Sequence, residues 1–277
     1  MSYFKAIKWE DTTGASNAFK NVDGKPRFSS TGYLYDIAEG NVTGHTVWTK
    51  NGYNGALSAS MEDLWAVGGE YVFPATQQQM EVVSSSTDDD SAGTGARTVY
   101  ISYLDNTFTE HEETLTLDGT TPVATTATNI YRVNTFRVAT TGTGLQNAGN
   151  IDIRSLDVGE VPIYSRIATG INRAINIIYT VPKDKCLFIY NIFISAGGNV
   201  ANRPVRFITK ATYDNISASL IGFFMPYTNA IITDGSCDIP IEAPTKFCAG
   251  TDIKVSAISP DGATYGAVTL RGWLETV

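Results

Sequence analysis

The chain is short of charge, histidine, cysteine and long apolar runs, and each shortage removes a class of protein. Only 17% of its 277 residues are Asp, Glu, Lys or Arg, against roughly 25% in an average soluble domain. Lys and Arg number 20 against 28 Asp and Glu, a net charge of −8. That balance lacks the basic excess with which proteins hold nucleic acid, and no nucleic-acid partner is expected. Three cysteines, Cys186, Cys237 and Cys248, are odd in number and lack CxxC spacing. They are expected as small apolar residues in or near a core, in a chain made in a reducing cytosol, with one disulfide as the alternative. The longest apolar run, Ile216 to Met225, is broken by serines and stopped by Pro226. It is about half of the ~20 residues a membrane-spanning helix needs, so no membrane partner is expected. The opening residues mix Lys, Glu and Asp into their apolar positions and form no h-region, so a secretory leader is not expected.

What is present points to β structure. Hydrophobic residues make up 43% of the chain, and 14 Tyr and 12 Phe supply large apolar surfaces, which argues against wholesale disorder. Charge divides the sequence unevenly: residues 1–75 carry a net −2, residues 76–157 a net −7, and residues 158–277 a net +1. The shift near Asp157–Val161 reads as a module boundary. Within the first 75 residues, Asp23-Gly24, Asn51-Gly52, Asn54-Gly55 and Gly68-Gly69 are turn signals. Periodicity is poor from Ser29 to Gly55, which predicts extended chain and loops. The one helical candidate is Ser60–Val67, with Ser60 as cap, Asp63 three residues on and Gly68 as the stop.

Beyond Gln79 the alternation strengthens. Val99, Ile101 and Tyr103 alternate with Tyr100, Ser102 and Leu104. Leu115 and Leu117 alternate with Thr114 and Thr116 before an Asp118-Gly119 turn. Strands are also expected at Ile130–Val138 and Ile151–Ile153, then at Ala174–Val181, Cys186–Ser195, Val205–Thr209, Leu220–Met225, Ile253–Ile258 and Ala267–Leu274. Such spacing without helices between the strands predicts an all-β fold, with antiparallel β-sandwich modules of jelly-roll type. The expected order is an extended, loop-rich segment (1–75) serving as anchor or interface, an acidic β-domain (76–157) and a jelly-roll-like sandwich (158–277).

Chemistry is thinly supplied. His45 lies in a Gly-rich loop, and Glu110-His111-Glu112-Glu113 has the alternation of a polar strand end rather than the one-faced spacing of HExxH. Asp88, Asp89 and Asp90 with Gly93 begin like a calcium loop, but Ala92 and Val99 stand where ligands are needed, so an acidic hairpin tip is the better reading. Gly93-Thr94-Gly95 and Gly142-Thr143-Gly144 lack the lysine or the third glycine of phosphate-binding loops. Trp48, Tyr53, Trp65, Tyr71 and Phe73 suit core or subunit packing, with a sugar or protein contact as the alternative. No catalytic, cofactor-binding or metal residues are assigned, no cofactor is expected, and the chain is read as a non-enzyme.

Several segments carry a family resemblance. They are Asp36–Gly40 with Gly44-His45 and Lys50–Gly52; Leu64-Trp65 with Gly68-Gly69 and Tyr71–Pro74; Val82–Asp90 with Ala92–Val99; Glu113–Val123; and Asn147–Ile151. Tyr179–Pro182, Lys246-Phe247 and Ala249–Ile253 extend the pattern into the last module. In these segments the chain resembles a widespread family of tailed-phage virion structural proteins. The resemblance implies jelly-roll decoration or fibre-head modules and supplies no catalytic residues. It also implies a virion location after synthesis in host cytoplasm. The partners it implies are the major capsid protein or other virion proteins, with self-association, preferably as a trimer. A head decoration or cement role is the first expectation. A tail, neck or fibre part that binds a receptor or glycan through Ala196–Asn202 and Thr228–Cys237 is the second.

Overall fold

The computed structural model describes residues 21–22, 25–26, 32–156, 162–198, 203–214, 219–260 and 264–277. The chain divides into two units, Met1–Thr43 and Gly44–Val277. The first contains a short antiparallel pair, β1 (Asn21–Val22) and β2 (Lys25–Pro26), and a seven-residue helix α1 (Gly32–Ala38). Gly40 ends the helix in the left-handed region (φ 74°), and its N–H bonds back to the Ile37 carbonyl. The turn expected at Asp23-Gly24 and the boundary at 157–161 lie outside the described residues.

The second unit begins with β3 (His45–Leu57) and the short β4 (Glu62–Asp63), then runs through β5 (Met80–Ser84), β6 (Ala96–Leu104), β7 (Glu110–Thr116), β8 (Val123–Ala124), β9 (Arg132–Thr141), β10 (Ile151–Ser155) and β11 (Ile163–Ile167). It continues with β12 (Tyr179–Thr180), β13 (Lys185–Gly198), β14 (Pro204–Asp214), β15 (Ser219–Thr233), β16 (Gly235–Cys248), β17 (Asp252–Ile258) and β18 (Thr264–Thr276). All described pairings are antiparallel, as the alternation requires. Among the described residues no helix is long and apolar enough to cross a membrane.

Pairing in this unit is nested. β3 pairs with β18, β12 with β17, β13 with β16 and β14 with β15. One long hairpin, wound on itself, therefore builds two sheets ordered β16-β13-β18-β3 and β12-β17-β14-β15. This is the eight-stranded jelly roll. Leu187, Ile189, Ile192 and Ile194 of β13 meet Val205, Phe207, Ile253 and Val255 of the opposite sheet in one core. The inward positions of β13 change parity because the register shifts between Ile189 and Asn191. Without that bulge, Ile192 and Ile194 would face out.

The strands β5–β11 are inserted between β4 and β12. They form a second sandwich from sheets β11-β10-β5-β8 and β7-β6-β9. Met80, Val82, Val99, Ile101, Phe136, Ile151 and Ile153 fill its core.

Several expectations change here. β3 belongs to the jelly roll, so residues 45–57 are not loop, and the C-terminal module reaches back across the acidic one. Asn51-Gly52 and Asn54-Gly55 are strand residues rather than turns. A Cβ on Gly52 would stand 2.7 Å from both Ile177 Cβ and Leu64 O, so that glycine serves close packing. Ser60–Val67 is not helical. Leu64 is buried in the jelly-roll core and Trp65 in the inserted core, a divergence that extended chain achieves and a helix does not. Thr228–Cys237 is not a loop either: it is the end of β15, a turn with positive φ at Asp234 and Gly235, and the start of β16. Finally, Cys186 and Cys248 form a disulfide because they stand opposite each other in the β13–β16 ladder. Cys237 is free and exposed.

Candidate functional site

The chain crosses between the two sandwiches twice, and the crossings run side by side. Leu64 and Trp65 point into different cores on the way out. Ile177 and Ile178 do the same on the way back, Ile177 in the jelly roll and Ile178 in the insert. The Ile177 N–H donates to the Leu64 carbonyl at 3.2 Å.

This joint covers the outer face of β17. Along that strand Ile253, Val255 and Ala257 face the jelly-roll core, while Asp252, Lys254 and Ser256 alternate with them and are also buried. Buried polar groups must be paired, and these are. Arg132 of β9 donates from Nε and Nη2 to the two Asp252 oxygens, both at 2.9 Å, and from Nη1 to the Pro74 and Tyr131 carbonyls. Burial disfavours the Arg132 charge, yet the hydrogen bonds and charge of Asp252 outweigh it and hold its pKa above the ordinary value. Lys254 Nζ donates to Asp63 at 3.0 Å, Glu70 at 3.0 Å and the Tyr71 carbonyl at 3.4 Å. Its hydrogen bond, followed by its charge, lowers the Glu70 pKa. Asn134 of β9 meets Thr180 of β12 in a reciprocal amide pair of 2.8 and 2.9 Å, as a neighbouring strand would.

An aromatic cleft of about 500 Å³ opens over this network, lined by Phe73, Tyr131, Phe224 and the exposed Val72. Phe73 stacks on Phe224 at 5.8 Å, and Tyr71 meets Phe73 and Trp65 edge-on at 4.8 and 5.1 Å. The structure thus gathers three of the five aromatics singled out in the sequence. Trp48 instead packs on Tyr179 inside the jelly roll, and Tyr53 lies against Tyr265.

The remaining motifs hold loops together. Asp89 is fully buried, unlike an acidic tip, and its carboxylate accepts from Ser84 Oγ and the amides of Ala96, Ala148 and Gly149. The two Gly-Thr-Gly segments lie against each other, Gly142 N–H bonding Gly95 O and Gly144 N–H bonding Thr94 O. A Cβ on Gly142 would sit 2.2 Å from Gly93 O, which explains the glycines without a phosphate. His45 begins β3, 3.7 Å from Glu275, rather than lying in a loop. His111 pairs with Asp105 at 2.9 Å and stacks on Tyr103. Among the described residues no group of three or more His, Cys, Asp or Glu is placed to hold a metal.

Sequence reasoning missed Arg132, Asp252 and Lys254. Their alternation with apolar neighbours reads as a wet outer face, and only the inserted module makes that face a second interior. Fold and joint together define the class: a jelly roll carrying a second β-sandwich in the loop between its first two strands. No family model matches the chain, and no curated protein matches it. Among solved structures, the PBSX exported protein XepA aligns over 98% of this chain and 100% of its own at 12% identity, with a TM-score of 0.18. The infectious bursal disease virus Gx strain structure covers 84% of this chain and 71% of its own at 8% identity, TM-score 0.18. The VP2 subviral particle of the same virus covers 84% and 77% at 9%, TM-score 0.15. The neighbours thus include a phage protein and virus-particle proteins, at scores too low to establish a common fold.

Proposed function

We propose that the chain is a non-enzymatic structural subunit of a tailed-phage particle, a decoration or cement protein that bridges and stabilises head subunits. The observation that supports this most directly is the open side of the jelly roll. β15 and β16 are the last strands of their sheets, and Tyr227, Ala230, Ile232, Ile239 and Ile241 pack against the core there while only partly buried. β16 guards its edge with Asp238, Glu242, Pro240 and Pro244. β15 is 15 residues long, holds no charge and has Pro226 alone. A long uncharged edge of this kind pairs with another chain unless something covers it. Self-association into a trimer, with the major capsid protein as outer partner, satisfies that edge. The acidic stretch 76–157, at net −7, is repelled by packaged DNA and faces away from it. Quantitative mass spectrometry of purified particles tests the reading. One copy, or one third of a copy, per major capsid protein is expected; a few copies per particle overturns the decoration role.

A second reading is a tail, neck or fibre component that binds a host glycan or protein. The aromatic cleft at Phe73, Tyr131 and Phe224 favours it, since these partly exposed rings offer faces on which a sugar can stack. Low copy number together with host-cell binding by the pure protein selects this reading.

A further inference from the structure

A second cleft, of about 30 Å³, lies where β3, β9 and residues 173–176 meet, and it is lined by Lys50, Asn51, Asn134, Thr135, Arg173 and Asn176. That volume admits one or two water-sized groups. Its two charges are both positive. Lys50 Nζ donates to the Asn134 carbonyl at 2.5 Å and lies over the Tyr179 ring. Among the described residues neither Lys50 nor Arg173 has a carboxylate partner. Asn176 is 7% exposed, with Nδ2 bonded to Ser165 Oγ at 2.9 Å and Oδ1 left without a partner. Turned by half a rotation, the amide accepts from the Ser165 hydroxyl instead and frees Nδ2 as a donor. In that orientation Oδ1 is satisfied by Ser165, and Nδ2 is the atom left for a ligand that accepts hydrogen bonds.

We propose that this cleft binds a single carboxylate group, held by the Arg173 guanidinium and Lys50 ammonium, with the Asn176 amide as a third donor. The Arg fork matches two carboxylate oxygens, and the cleft is too small for a sugar ring. The carboxylate is that of an acidic side chain or of an acidic sugar whose ring stays outside. Burial, followed by Arg173, lowers the Lys50 pKa to about 7, so an anion entering the cleft draws a proton onto Lys50 and completes its own counter-charge.

Sodium acetate is the probe, added to the full chain at constant ionic strength against sodium chloride, with the lysine ε resonances followed by NMR across pH. Acetate is expected to raise the Lys50 midpoint where chloride does not. Arg173→Gln, at an exposed position, keeps the fold and is expected to weaken acetate binding about ten- to hundredfold, the size of a lost charge-assisted contact. Equal Lys50 midpoints in acetate and chloride, or undiminished acetate binding by Arg173→Gln, overturn the proposal. Once acetate binds, tighter binding of glucuronate points to an acidic sugar, and tighter binding of N-acetylaspartate amide points to an acidic side chain.

Discussion

Removing the Cys186–Cys248 disulfide is expected to cost stability that the rest of β16 does not restore. The bridge spans a sequence separation of 62 residues and fastens an edge strand to β13 at its C-terminal end. In the chain-entropy account, closing a loop of that length in the unfolded state is worth roughly 4 kcal/mol. With a urea dependence of about 3 kcal/mol per M for a unit this large, the midpoint falls by about 1.3 M. The assay is urea unfolding of the oxidised chain and of Cys186→Ala/Cys248→Ala, read by tryptophan fluorescence. Trp273 suits it: the ring stacks on Phe188 at 5.0 Å, two residues from Cys186. A thiol count on the denatured, unreduced chain is the control, with one reactive thiol expected, that of Cys237. Three thiols, or an unchanged midpoint in the double variant, would refute the reasoning.

Other outcomes follow from the joint, the edge and the ends. Arg132→Met leaves Asp252 buried without its charge partner, with only the Thr180 hydroxyl, among the described residues, still donating to it, and should cost about 3–5 kcal/mol, much of it recovered in Arg132→Met/Asp252→Leu; calorimetry of the two variants decides. Removing Met1–Thr43 is expected to leave the second unit folded by circular dichroism, whereas a cut after Leu57 also removes β3 and should unfold the jelly roll. Ile231→Lys places a charge at an exposed position of β15 and is expected to give monomers by light scattering with an unchanged fold. Asp105 is opposed by burial, but hydrogen bonds from Thr107, His111 and the Thr107 and Thr109 amides bring its pKa down to about 2. A depressed carboxylate stabilises the fold above the unfolded value of 3.8 and loses that contribution as pH falls toward about 2. Asp105→Ala should therefore cost about 1–2 kcal/mol near neutral pH and almost nothing at pH ~2, measured by urea unfolding at both pH values.

The strands were legible where one face is dry and the other wet. In β6, Val99 and Ile101 are buried with the partly exposed Tyr100 between them, as the sequence pattern predicts, while the strand's end, where Ser102 and Leu104 are buried as well as Tyr103, departs from it. β3 and β16 were not legible, for different reasons. β3 carries Gly52 and Gly55 inside the strand, and glycine signals a turn unless the neighbour that needs the space is known. β16 is an edge strand whose inward residues are only half covered, so its Pro and acidic residues hide the alternation. The Cys186–Cys248 pair was equally out of reach, since residues far apart in sequence become neighbours only through the nesting.

That nesting also governs what the candidate site could reveal. An inserted module turns the outer face of β17 into an interior without changing the residue types its sequence offers: Asp252, Lys254 and Ser256 would suit water as well as they suit Arg132, Asp63 and Glu70. Charge pairs at such a surface contribute little when exposed and are costly to break when buried, so the insertion changes their energetic role while the composition stays the same. The crossings at Leu64-Trp65 and Ile177-Ile178 are the sequence trace of the arrangement. In each, two adjacent large apolar residues divide between two cores, a pattern that neither an amphipathic helix nor a one-sided strand produces. Exchanging either pair for one apolar and one polar residue should detach one sandwich from the linker while leaving the other packed, which separate unfolding transitions for the two lobes would register.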